Sequence, residues 1–337
     1  MRIATYNIEW MNSLFDEDGA LLNDDGWSGR HGVARSDQIA ALTRVFRAID
    51  ADAVMIIEAP DQGRNRNTVT ALETFAVHAG LRARRAVIGF ANNTQQEIAL
   101  LYDPDQISAR HDPQSHDTAP SFDQMFSIDL DIDATEDRVV FSKPPLELLI
   151  ETKGGAQLRM IGAHLKSKAP FGATTRDEVL RISIANRRKQ LAQAIWLRAR
   201  IQTHLDEGAA LMVMGDLNDG PGLDEYENLF GRSSVEIILG QGGQALLDPH
   251  ARQGLQRRLG ATPTTSRFWI RQEKRFLQAL LDYIMVSPDL AARDPRWRIW
   301  HPLDDPECWA DGALRDALVA ASDHFPVTLD IDLDSPI

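Results

Sequence analysis

Apolar residues recur along this chain in short runs, each broken after a few positions by charged or turn-forming residues. Such runs span Ile3 to Glu9, Ala53 to Glu58, Glu97 to Tyr102, Leu146 to Glu151, Leu158 to Leu165, Leu211 to Asp216, Leu281 to Val286 and Pro326 to Ile331. Their length and composition predict strands. Two stretches follow a helical period instead. Ser36 stands where an N-cap is expected for a helix from about Asp37 to Ile49, with Ile39, Leu42, Val45, Phe46 and Ile49 on one face. A second helix is predicted from Thr175 to Leu205, with Ile184, Leu191, Ile195 and Leu205 near helical spacing. Strands outnumber helices and the βαβ alternation is incomplete. That pattern suits two packed sheets covered by helices better than one parallel sheet.

No internal repeat, low-complexity tract or Gly/Ser linker interrupts the chain, so residues 1–337 are expected to form a single domain. Residues 103–138, rich in Asp with scattered Ser, Pro and His, are expected to be an acidic insertion with few strand or helix signals.

Composition narrows the class. Hydrophobic residues make up 43% and charged residues 25% of the 337, an ordinary globular balance. No apolar run is long enough for a membrane-spanning helix. Met1-Arg2-Ile3-Ala4 leads straight into a strand pattern without the parts of a secretory signal, and Cys308 is the only cysteine, which rules out an internal disulfide. A cytoplasmic protein is the expectation. The net charge of −13 argues at first against a polyanionic substrate. Its distribution changes that picture: Arg176 to Arg200 holds seven basic residues against two acidic, and Ala251 to Arg275 holds seven against one. Each stretch alone reads as a solvated face; side by side along a cleft they would suit a phosphate-bearing ligand.

The chemistry lies where polar residues interrupt the strands. Asn7 and Glu9 close the first run, and Glu58 ends Val54-Met55-Ile56-Ile57. His164 sits in Gly-Ala-His-Leu-Lys-Ser, and Asp216 and Asn218 sit in Gly215-Asp216-Leu217-Asn218. Asp282 opens Asp-Tyr-Ile-Met-Val, and Ser322-Asp323-His324 precedes the last strand. In a sheet sandwich six such strand ends can converge on one rim. Taken in this order, the motifs resemble the endonuclease/exonuclease/phosphatase superfamily, the DNase I-like fold, from Asn7 to His324. The resemblance implies a four-layer αββα sandwich, a bound divalent metal and hydrolysis of phosphoesters.

The roles it implies agree with the physical demands of that reaction: water placed in line behind phosphorus, and negative charge stabilised on the phosphoryl and leaving oxygens. Mg²⁺, with Mn²⁺ as a substitute, needs one or two carboxylates and keeps several waters. Glu58 is the first choice as ligand; Glu9 and Asp323 bind directly or through water, and Asn7 offers its oxygen to metal or its amide to phosphate. Asp216, steadied by Asn218, orients or deprotonates the attacking water. His164 and His324 donate to phosphoryl oxygens, and the resemblance gives Asp282 as the carboxylate that orients an imidazole, that of His324. Arg187 and Arg188 are expected on the substrate. Two departures are informative: Ile57 precedes Glu58 where many members have Gln, and His164-Leu165-Lys166-Ser167 replaces the Tyr-x-Pro-Asn element of the abasic-site endonuclease branch.

A nuclease acting on DNA or RNA is the leading expectation, supported by Arg187-Arg188-Lys189 and by Arg267 to Arg275, where Phe268 and Trp269 interleave with charge. Phe268 and Trp269 read equally well as core residues of a strand. The alternative is a phosphodiesterase or phosphatase for a small phosphoester such as a lipid headgroup, inositol phosphate or nucleotide, in keeping with the acidic total. No protein partner is inferable. His31, His78, His111, His116, His204, His250 and His301 lack comparable contexts and are assigned structural or solvated roles, and Trp297, Trp300 and Trp309 are assigned to packing.

Overall fold

In the computed structural model, which describes residues 1–129, 137–220, 231–256, 262–270 and 274–334, strand β1 (Arg2–Asn7) alternates between two cores. Ala4 and Tyr6 face one, Ile3 the other. A strand behaves this way inside a sheet that is covered on both faces. β1 pairs in parallel with β2 (Ala53–Ala59) and antiparallel with β15 (Val327–Asp330). β14 (Arg296–Ile299), β4 (Glu97–Tyr102) and β3 (Arg85–Ile88) complete a six-stranded sheet of order β14-β15-β1-β2-β4-β3. The second sheet has the order β13-β10-β9-β8-β5, from β13 (Asp282–Val286), β10 (Leu211–Asp216), β9 (Gln157–His164), β8 (Leu146–Thr152) and β5 (Ile107–His111). Its β9 and β10 are parallel and its other pairs antiparallel. Two hairpins stand apart: β6 (Phe126–Ile128) with β7 (Asp137–Val139), and β11 (Ser266–Ile270) with β12 (Arg275–Ala279).

Met55, Ile57, Leu100, Leu148, Met160, Met214 and Ile284 fill the space between the sheets. Outside the first sheet lie α1 (Arg35–Ile49), α2 (Thr68–Ala79) and α8 (Gly312–Ala321); outside the second lie α3 (Arg176–Asp206), α4 (Ser234–Leu239) and α5 (Pro249–Leu255). The one-turn helices α6 (Pro288–Ala291) and α7 (Pro306–Ala310) flank β14. The layers are therefore helix, sheet, sheet, helix: the expected four-layer αββα sandwich with two mixed sheets. Among the described residues no helix is long and apolar enough to cross a membrane.

Three local expectations need correction. Ser36 is not the cap of α1; the helix starts at Arg35 with Ala34 in the cap position. Carbonyls of the preceding loop replace a side-chain cap, because the Arg35 and Ser36 amides donate to Gly26 and Asp24. The second helix does take Thr175 as its N-cap, with a full Thr175/Glu178 capping box, but its inward face is not the apolar set expected. Arg187, Gln190, Leu191, Ala194, Leu197, Ile201 and His204 are buried, whereas Ile184, Ile195 and Leu205 are only partly so. Lastly, residues 107–111 in the acidic stretch form the edge strand β5. Residues 130–136 of that stretch lie outside the described residues.

Candidate active site

Parallel pairing brings the functional side chains together. Asn7 is the last residue of β1 and Glu58 lies at the end of its parallel neighbour β2; His164 and Asp216 are the last residues of the parallel pair β9 and β10. Asp282 opens antiparallel β13 directly opposite Asp216, and His324 enters β15, antiparallel to β1. All six ends therefore meet on one rim of the sandwich.

Two backbone irregularities aim the side chains. Along β2, Val54 and Ile56 face the helices while Met55 and Ile57 face between the sheets. Strict alternation would turn Glu58 toward the helices. Instead the register against β4 slips between Ile57 and Ala59, and Glu58 takes φ +62°, so its carboxylate lines the cleft. A bulge with a non-glycine left-handed residue is the device for re-aiming a side chain beside a site. At Gly215, with φ +129°, a Cβ would fall 2.1 Å from the Ala163 carbonyl oxygen. Only glycine lets β10 close on β9 just before Asp216.

The cleft has a volume of about 1050 Å³ and takes in Asn7, Glu9, Glu58, His164, Asp216, Asn218, Asp323 and His324. Asp216 is buried and accepts from the Asn218 amide (2.7 Å), the Asn7 Nδ2 (3.0 Å) and the Asn218 Nδ2 (3.2 Å). Burial raises its pKa, and the nearby His324 works against that rise. The two histidines beside it are poised oppositely. Burial alone would lower His324, but Asp282, whose Oδ2 lies 2.7 Å from Nδ1, overcomes this and holds the imidazole protonated. Burial lowers His164 well below the usual range, and Lys143, with its Nζ 3.2 Å from Nδ1, adds to it. Neutral His164 thus accepts at Nδ1 and carries its proton on Nε2, 3.6 Å from Asp216 Oδ2.

The model of the Endonuclease/Exonuclease/phosphatase family matches residues 4–324. The chain belongs to this family. Its members are generally phosphoester hydrolases that use divalent metals. An AP endonuclease from Archaeoglobus fulgidus superposes with a TM-score of 0.51 at 12% identity, covering 98% of this chain and 99% of that one. Truncated Caenorhabditis elegans TDP2 superposes with a TM-score of 0.50 at 13% identity, covering 97% and 96%. Identities this low establish a shared fold. No curated protein matches the chain by sequence.

The family's divalent metal has a fitting place at the Glu58 end of the cleft. Asn7 Oδ1 is buried without a hydrogen-bond partner, and burial pushes the Glu58 carboxyl up to about 7. An uncompensated oxygen beside a desolvated carboxylate is a hard donor set suited to Mg²⁺. Asp216, Asp282 and His324 also bring one ligand atom each within 4.8 Å. Doubly protonated His324 has no lone pair to offer, and Asp282 lies behind it outside the cleft lining, so Glu58 and Asn7 fit better. Glu9 lines the cleft with Oε2 2.6 Å from Arg30 Nη1, and Asp323 lines it half-buried.

Not every expected residue reaches this cleft. Arg187 is 1% exposed and its guanidinium pairs with Asp219 at 2.8 Å, so it cannot meet a substrate. Arg188 is half-buried and outside the cleft lining. Asp282 stands behind His324 rather than in the cleft. Phe268 and Trp269 are not core residues: Phe268 lines the cleft with its ring 5.4 Å from the His324 ring, and Trp269 is 53% exposed against Phe276. Lys143 had no motif to announce it, since its partner His164 is remote in sequence. Gln190 carries no sequence signal either, yet its Nε2 donates to the carbonyls of Lys166, Leu217 and Asn218 and braces the Asp216 turn from α3. Of the other histidines, His204 is buried 2.7 Å from Glu147, and His301 is buried against Phe325. Trp300 is buried, whereas Trp309 is 55% exposed.

Proposed function

We propose that this protein is a Mg²⁺-dependent nuclease, able to use Mn²⁺, that hydrolyses phosphodiester bonds of DNA or RNA by in-line attack of water. The observation that carries this reading is the continuity of one cleft. The Asp216 cluster opens directly onto a wall carrying Lys143, Lys166 and Lys168. Lys168 is paired with Asp219, whereas Lys166 has no acidic partner among the described residues. A hydrolytic cluster followed by ammonium groups suits a ligand with more than one phosphate.

Glu58 and Asn7 would hold the metal, and Glu9 and Asp323 line the same cleft. Once bound, the ion supplies a Lewis acid for charge on the leaving oxygen. Asp216 accepts the hydrogen bond of the attacking water, and its raised pKa suits a general base working near neutrality. His324, kept cationic by Asp282, and the Nε2–H of neutral His164 donate to phosphoryl oxygens as negative charge grows there. Two imidazoles driven to opposite protonation states divide these roles without competing for one proton.

The test is hydrolysis of single- and double-stranded DNA and RNA with Mg²⁺ or Mn²⁺, with chelator and Asp216→Asn as controls. Cleavage should disappear in both controls and fall steeply with added salt. Hydrolysis of inositol phosphates or nucleotides, with no cleavage of any polynucleotide, would replace this reading with the small-phosphoester one.

A further inference from the structure

Trp10 combines features that a packing residue does not need. It is a non-glycine residue with φ +61°, its indole is 49% exposed, and it lines the cleft beside Glu9. A large apolar ring in left-handed backbone costs about 1–2 kcal/mol, and such strain persists where the surroundings fix it.

The Glu9 amide donates to Ser322 Oγ at 3.1 Å and the Glu9 carbonyl accepts from Gln38 Nε2 at 2.9 Å. The Trp10 carbonyl accepts from the Ser13 amide at 2.9 Å. The indole Nε1 donates to Glu9 Oε1 at 3.1 Å, and Arg30 holds the other oxygen of the same carboxylate. One face of the ring rests on Gly29, where a Cβ would come within 2.6 Å of the indole. The ring is locked in backbone, hydrogen bond and packing, while half its surface stays open beside the catalytic cluster. The cleft also holds Phe268 and Leu277 of the β11–β12 hairpin, so a flat apolar group meets matching surface there while its phosphates meet Lys143 and Lys166.

We propose that Trp10 is a fixed stacking platform for a nucleobase adjoining the scissile phosphate, which makes the substrate a nucleic acid with that base unpaired: a single strand or a frayed end. This rests on the nuclease reading above and adds the state of the strand. A base inside a duplex has both faces covered by its neighbours and cannot stack on the indole without leaving the helix. A ring that is already immobile gives up little entropy on stacking.

The probes are two fluorescein-labelled single strands of about 12 nucleotides, a size within the usual range for single-strand grooves. One carries thymine at every position, and the other carries the same phosphates on abasic tetrahydrofuran sugars. Anisotropy in chelator reads binding without turnover, and Mg²⁺ then gives KM and kcat for each strand. The wild type should favour the base-bearing strand roughly 5- to 150-fold, the equivalent of about 1–3 kcal/mol for one stacked base. Trp10→Asn, which removes the ring but tolerates left-handed backbone, should collapse that preference through KM, and Trp10→Phe should retain most of it. A packing role would alter stability and leave the ratio between strands alone. The proposal fails if Trp10→Asn, shown to be folded by its denaturation curve, keeps the wild-type ratio. Cleavage of both strands at equal rates by the wild type overturns the platform and leaves the nuclease standing. Binding and cleavage of neither strand overturns this proposal, and the nuclease reading falls with it when double-stranded DNA and RNA are also left uncleaved.

Discussion

Arg187→Met separates two roles for a residue whose sequence context points to substrate. Its guanidinium is 1% exposed, and Nη1 donates to Asp219 Oδ2 at 2.8 Å and to Gln190 Oε1 at 2.7 Å. Asp219 is fully buried, and its remaining partners among the described residues are Lys168 at 2.7 Å and the Ser234 amide at 2.6 Å. Removing one member of a buried pair costs about 3–5 kcal/mol, chiefly because the other charge is left without compensation. Lys168 still reaches Asp219 in this variant, so the lower end, about 3 kcal/mol, is expected. Asp219→Asn leaves the buried Arg187 guanidinium without its carboxylate, and belongs in the same range of about 3–5 kcal/mol. Against a total of about 5–15 kcal/mol either loss is large and should appear as a lower urea midpoint. The pH dependence has a definite sign. Burial would raise Asp219, but Lys168 and Arg187 overcome it and lower its pKa. The contribution of Asp219 is therefore full above its unfolded value of about 3.9 and is lost as pH falls through the lower folded one, so the gap between wild type and Asp219→Asn should narrow in that acid window. An Arg187→Met protein with the wild-type midpoint and a raised KM would refute the assignment and return Arg187 to the substrate.

Gly215→Ala should lower stability by several kcal/mol, or prevent soluble folding, because its Cβ would overlap a backbone oxygen at left-handed φ; expression and urea melts decide. Asp216→Asn should cost about 10²- to 10⁴-fold in kcat while its unfolding free energy moves by no more than about 1 kcal/mol, as turnover and denaturation measured on one preparation would show. Lys143→Met frees Nδ1 of His164 to take the proton, which should lower kcat about 10- to 100-fold with little change in KM in steady-state assays. Cys308 is buried, and burial followed by Asp305 pushes its thiol up to about 12, so a thiol reagent should label it only after denaturant is added; rapid labelling of native protein would contradict this.

Much of this protein is legible in one dimension because the relevant signals are local. Strand runs such as Leu211 to Asp216 and Glu97 to Tyr102 are continuous in sequence and match the elements that form. Asn7, Glu58, His164, Asp216, Asn218, Asp323 and His324 stand out because each is a polar residue at the end of an apolar run, and a sandwich with parallel pairs has few other places to put such ends. What remained hidden depends on partners far along the chain. The inward face of α3 interleaves Arg187, Gln190, Gln193, Arg200 and His204 with Leu191, Ala194, Leu197 and Ile201, so its apolar period is blurred and its arginines read as solvent-facing. Their partners include Asp219, the 216–218 turn, Lys166 and Glu147, which no window of sequence contains. The loop carbonyls that cap α1 in place of Ser36 are likewise visible only once the loop is folded. The bulge that turns Glu58 into the cleft arises from β2–β4 pairing, and the opposite protonation of His164 and His324 arises from Lys143 and Asp282 arriving at them from remote strands and loops. Hydrophobic period and strand-end chemistry are properties of neighbours in sequence and could be read directly; burial, register and the charge beside each titrating group are properties of neighbours in space, and only the tertiary structure decided them.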